Sequence, residues 1–218
     1  QWSGRATQYE LTYLNPSYQD TPLVVGGSLY TTREDDDYYY RRAYGGKAIL
    51  GYPVGEYTRV FWNYNREQYT IYDVDNDAAD AIQDLKGDNI MSSSTVSATR
   101  DTTDRKINPS TGSIYSLSTQ YAGGLLMGDD EFIKFLGDAS QYYPLWWSHV
   151  FHWHMRLGYA MPNADADEVP VYQRFYLGGI NSVRGYTSGY ISPYDESSGD
   201  RVGGTKEEIG RASGRERV

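Results

Sequence analysis

Residues 146–160 constrain the fold more than any other stretch of the chain. Trp147, Phe151, Trp153, Met155, Leu157 and Tyr159 share one parity, and Ser148, His152, His154, Arg156 and Gly158 share the other. Side chains alternate across a strand with period two, so this segment reads as a strand with one greasy and one polar face. The greasy face is long and continuous, with aromatics at both ends. A membrane-crossing strand spans about 9–11 residues and carries aromatic girdles at both interfaces. A strand covering the core of a soluble sandwich has the same period, so the pattern alone leaves both open.

Composition keeps the membrane in play. The chain has 218 residues, no Cys, 20 Lys+Arg against 29 Asp+Glu, and a net charge of −9. An acidic balance argues against a nucleic-acid partner, which needs a basic patch. Without Cys there is no disulfide framework, thiolate metal site or Cys nucleophile. A mean hydropathy of −0.67 and the lack of any run of about 18 apolar residues exclude a transmembrane helix. They do not exclude a membrane barrel, whose alternation averages out. The 23 Tyr and 23 Gly suit one, because tyrosine is at home where one end of the ring is dry and the other wet. Gln1-Trp-Ser-Gly4 carries no signal-peptide pattern and reads as the middle of a domain.

Seven further segments alternate: about 6–14, 23–30, 44–52, 58–65, 95–103, 113–121 and 131–143. In the first, Tyr9, Leu11 and Tyr13 oppose Gln8, Glu10 and Thr12. In the last, Ile133, Phe135 and Tyr143 oppose Lys134, Asp138 and Ser140. Residues 31–42 are charged and tyrosine-rich and read as a solvated loop. Residues 66–93 read as a long polar excursion with a helix-compatible stretch from Ala78 to Lys86. The run Asp73-Val-Asp-Asn-Asp77 has calcium-loop spacing, but Ala78 stands where such a loop needs Gly and Asp84 where it needs Glu, so a solvated loop is the better reading. His152 and His154 could share a metal. No third ligand of similar quality accompanies them, and lumen-lining polar residues are the better reading. No cofactor is expected.

Near the end comes Phe175-Tyr-Leu-Gly-Gly-Ile-Asn-Ser-Val-Arg-Gly-Tyr186. Gly178 and Gly179 allow the backbone to turn back on itself. Arg184, between Val183 and Gly185 and followed by Tyr186, offers a rigid fork of donors suited to a fixed carboxylate. This stretch closely resembles the signature loop of the BamA family of outer-membrane β-barrel assembly factors. Asp104-Arg-Lys-Ile-Asn-Pro-Ser-Thr-Gly112 resembles a periplasmic turn of the same family, and the resemblance covers nearly all of residues 1–207. It implies an all-β fold: an antiparallel transmembrane β-barrel fragment of about eight strands plus the start of a ninth at Arg201–Glu207, incomplete and open. Against a family barrel of about sixteen strands this would be the middle, from about the fourth strand to the start of the twelfth.

On that reading residues 1–207 are a partial barrel domain with an inward-folded motif loop at 172–200. Residues 208–218 show no alternation, resemble a translated sequencing adapter, and are expected to be non-native. The expected lumen-facing polar residues are Lys134, Asp138, His152, His154 and Arg156. The expected lipid-facing aromatics are Trp147, Phe151, Trp153 and Tyr159. The resemblance implies a non-enzymatic machine of the bacterial outer membrane that folds and inserts other barrels. Its partners would be unfolded outer-membrane clients, membrane lipid, accessory lipoproteins and periplasmic POTRA domains. Arg184 would hold the loop through a carboxylate beyond residue 207. A two-partner secretion transporter of the same superfamily, a passive pore, and an omptin-like or lipase-like barrel enzyme are the alternatives. No nucleophile elbow, phosphate loop or convergent Ser/His/Asp set supports the last.

Overall fold

Among the described residues a single antiparallel sheet holds nine strands, in the order in which the chain makes them. The computed structural model describes residues 5–35, 39–74, 78–147, 149–163, 166–179, 182–196 and 198–216. The strands are β1 (Arg5–Asn15), β2 (Val24–Asp35), β3 (Tyr40–Pro53), β4 (Thr58–Tyr72), β5 (Gly87–Asp101), β6 (Gly112–Ala122), β7 (Phe132–Pro144), β8 (His149–Pro162) and β9 (Lys206–Glu216). Every neighbour pair is antiparallel. β1 and β9 stand at opposite ends of the order, so the sheet is not closed. Among the described residues the structure is all-β, with one short α-helix, α1 (Asp80–Gln83), between β4 and β5, and single 3-10 turns at Tyr18–Asp20, Gly124–Leu126 and Val171–Gln173.

The register sorts the side chains by parity on every strand. Leu11 pairs with Leu29, Leu50 with Trp62, Trp62 with Val96, and Leu117 with Gly137, which pairs in turn with Leu157. All of these point one way. Leu11 is 76% exposed, Leu29 68% and Leu117 60%. A soluble monomer does not show an apolar face of this extent, because patches of more than a few hundred Å² mark a membrane or a partner. Hydrocarbon is an environment that suits such a face, and among the described residues no second layer packs over Phe151, Leu157 or Tyr159.

The connections alternate in character. At one end lie residues 16–23, 54–57, 102–111 and 145–148; at the other lie 36–39, 73–86, 123–131 and 163–205. The last of these is by far the longest. The 104–111 turn is closed by the Asp104 carboxylate, which accepts from the backbone N–H of Ser110 at 2.7 Å and of Thr111 at 3.2 Å.

Several sequence expectations are corrected. Trp147 is not on a strand: β8 begins at His149, and Trp147 lies in the preceding turn with φ 55°, 82% exposed and edge-on to Trp146. A bulky residue at positive φ leaves the pleat, so parity no longer sets its direction. Residues 31–42 are not one loop, since β2 runs to Asp35 and β3 starts at Tyr40. Likewise β4 reaches Tyr72 and β5 starts at Gly87, which shortens the 66–93 excursion from both sides. Residues 75–77 of the acidic run lie outside the described residues. Residues 208–216, where the sequence shows no alternation, continue β9 to Glu216 along the edge of β8. Backbone pairing needs no side-chain pattern, so an unpatterned segment can extend a strand.

Candidate functional site

The face opposite the greasy one carries the polar chemistry, and the long 163–205 connection folds back onto it. Two clusters meet there.

The first centres on Arg41 of β3. The alternation that turns Tyr44 and Leu50 outward turns Arg41 inward, and the same parity on β4 sends Asn65, Glu67 and Tyr69 inward beside it. The Arg41 guanidinium pairs with Glu67 and, at 3.3 Å, with Glu34. Its side chain is only 9% exposed and that of Glu67 7%. Tyr30 Oη donates to Glu67 at 2.6 Å. A buried cation and carboxylate are tolerated because each satisfies the other and further donors fill the remaining lone pairs. Tyr69 Oη donates to Asp130 Oδ1 at 2.8 Å, and Tyr172 Oη donates to Oδ2 of the same carboxylate at 2.5 Å. The Arg41 guanidinium lies 5.0 Å from the ring centres of both Tyr69 and Tyr172, within cation–π range. Burial pushes the Asp130 carboxyl above its ordinary range, against the pull of its two phenol donors and Arg41. Burial, and then the neighbouring Asp130, push the Tyr172 phenol well above its ordinary value.

The second cluster lies on β7 and β8 and contains the residues the sequence assigned to the lumen. Arg156 Nε donates to Asp138 Oδ1 at 3.0 Å, and His154 Nε2 lies 3.3 Å from the same oxygen. His152 stacks on Tyr142, ring centres 4.4 Å apart. Lys134 Nζ donates to the carbonyl of Gln173 at 2.7 Å and sits 4.7 Å from the centre of the Phe175 ring. Phe175 in turn lies where a side chain on Gly158 would be: a Cβ there would stand 2.7 Å from the ring. Opposite this face, Phe151, Trp153 and Tyr159 take the outward parity.

Further along the chain the loop turns back on itself. Gly178 and Gly179 have φ of 119° and 90°. Leu177 and Ile191 form an antiparallel bridge, the N–H of Gly179 donates to the carbonyl of Tyr186 at 2.9 Å, and Ser182 Oγ closes onto Gly178 at 2.8 Å. Val183 is half-buried, whereas Arg184, Gly185 and Tyr186 are exposed. Arg184 makes no ion pair among the described residues. Ile180 and Asn181 lie outside them.

The sequence marked the loop and the β7–β8 row, and the structure brings Asp138, His154 and Arg156 of that row together. It missed the Arg41 cluster, whose members come from five separate segments: β2, β3, β4 and the 123–131 and 163–205 connections. Parity could have found Arg41 and Glu67; nothing local marks Asp130 or Tyr172 as partners.

The Omp85 superfamily domain matches residues 1–210. Outer membrane protein assembly factor BamA of Nitratidesulfovibrio vulgaris is 41% identical over 205 residues, 94% of this chain and 26% of that protein. The mouse sorting and assembly machinery component 50 homolog is 32% identical over 127 residues, 58% of this chain and 26% of its own. The chain thus spans about a quarter of the length of these relatives. Among solved structures, Haemophilus ducreyi BamA lacking POTRA domains 1–3 superposes with a TM-score of 0.80 at 21% identity, covering 94% of this chain and 44% of that one, a likeness of fold. An open antiparallel wall, a greasy outer face, a folded-back arginine loop and a match over most of its length together show that this chain belongs to the Omp85 superfamily.

Proposed function

We propose that this chain is the wall-and-loop section of a factor that folds and inserts β-barrel proteins into the bacterial outer membrane. The observation that carries the reading is the loop folded back onto the polar face of an Omp85 wall, with Arg184 at its turn. The 41% identity to an assembly factor supports the same conclusion. Such work needs no bond chemistry, only a wall, a lipid boundary and a surface on which incoming strands can pair. Clients, accessory lipoproteins and POTRA domains would be partners of the complete protein.

In that protein Arg184 would meet a carboxylate beyond residue 207, closing a charge-assisted pair inside the barrel. Arg184→Ala would then strand the carboxylate, at about 3–5 kcal/mol. The test is the complete protein carrying Arg184→Ala, assayed for insertion of outer-membrane clients into vesicles and for their level in cells. Slowed insertion and depleted clients are expected. Normal outer-membrane protein levels would overturn the reading, and loss of polypeptide export with unchanged levels would point to a secretion transporter instead.

A further inference from the structure

The loop that carries Arg184 is fastened to the wall well before the arginine. Of the 163–205 connection, residues Val171–Phe175 lie against the inward face and hold it at three points. Tyr172 reaches Asp130, at the foot of the 123–131 connection, and through that carboxylate Tyr69 of β4. The backbone carbonyl of Gln173 receives Lys134 of β7. Phe175 fills the space over Gly158 of β8 and bridges to Gly204 on the returning arm. The first point is the specific one. Tyr172 and Tyr69 bring two phenols to the two oxygens of one buried carboxylate, their rings are edge-on with centres 5.4 Å apart, and Arg41 faces both. Of these groups only Tyr172 falls within the 172–200 loop, and none lies in the stretch from Phe175 to Tyr186 that carries the arginine.

We infer that Tyr172 and Asp130 are positioning residues that lock the root of the loop to the wall and so fix where the Arg184 turn is presented. A flexible segment hung from β8 and β9 could place its tip anywhere within reach of the whole connection. Fastened at 172 and at the Phe175–Gly204 bridge, and on the returning arm by Asp200, whose Oδ2 accepts from the Ala79 N–H at 2.8 Å, the chain has only residues 176–199 left to search, and the effective concentration of Arg184 at its carboxylate rises accordingly. The consequence for assembly rests on the functional reading above; the lock itself does not.

The test uses the complete protein in lipid nanodiscs, comparing Tyr172→Phe, Tyr172→Ala and Asp130→Asn with the parent by hydrogen exchange. Tyr172→Phe deletes one hydrogen bond and keeps the ring beside Arg41. It should speed exchange of the bridged Leu177, Gly179 and Ile191 amides roughly threefold to tenfold, the range of one net hydrogen bond. Tyr172→Ala should speed it further, while β7 and β8 amides exchange as before. Unchanged loop amides in both Tyr172 variants would overturn the inference. So would equal acceleration of the β7 and β8 amides, which would make the cluster a general support of the wall. Client insertion by Arg184→Ala is scored separately, so failure of the functional reading and failure of the lock give different results.

Discussion

Gly178 shows how little freedom the loop has at its turning point. Its φ is 119°, and a Cβ there would stand 2.2 Å from the carbonyl oxygen of Thr187. Gly178→Ala is therefore expected to open the 177–191 knot, seen as rapid protease cleavage between Leu177 and Ile191 with the strands left intact. Arg41 makes the opposite point, because its constraint is electrostatic. Arg41→Met leaves Glu67 buried and uncompensated, a loss of about 3–5 kcal/mol. Adding Glu67→Gln should restore part of it, since the two changes share one interaction; urea unfolding of the complete protein would measure both. The sequence hid this pair for a physical reason. Glu34 to Arg42 is dense in charge, and charge in an isolated segment reads as solvation. Only when β4 is paired beside β3 does Glu67 supply what Arg41 needs. Arg184 was legible because glycines and a single cation mark a loop by themselves.

Strands tell their faces more readily than their ends. The outward and inward rows of the first eight strands follow the sequence alternation, because the hydrocarbon imposes it. Beyond the hydrocarbon both faces meet water or loops, and the alternation fades while backbone pairing continues. That is why β2, β4 and β5 extend past their apolar stretches, to Asp35, to Tyr72 and back to Gly87. In β9 pairing with β8 has no pattern to accompany it. Ile209 pairs with inward Arg156 and Glu208 with outward Leu157, the reverse of the other strands. For the regular strands the face rule makes a sharp forecast. Leu117→Arg, outward on β6, should lower stability by about 2–4 kcal/mol near the bilayer midplane, whereas Ser116→Arg beside Asp138 should be tolerated; refolding titrations into bilayers would separate them. The 104–111 turn makes another. Hydrogen bonds from the Ser110 and Thr111 amides hold the Asp104 carboxyl below its ordinary pKa of 3.8. A carboxyl lowered by folding stabilises the turn above its ordinary value and loses that contribution as the pH falls through the lowered one. Acidification below about pH 4 should expose those two amides to exchange, and Asp104→Asn should abolish that dependence.

For the molecule as a whole, the two outer strands of the sheet are not neighbours, and each presents a row of backbone groups that hydrocarbon cannot satisfy. The 218-residue chain on its own is expected to give no heat-modifiable barrel band when refolded into vesicles, whereas the complete protein should give one. The strictly sequential strand order has a mechanical corollary as well. Because each ribbon is stitched only to the ribbons before and after it in the chain, pulling on one terminus peels the sheet without dragging any distant segment along. Extraction by a force probe should therefore proceed as a staircase of hairpin-sized steps, with one tall step where the tyrosine-clasped loop must let go of the wall.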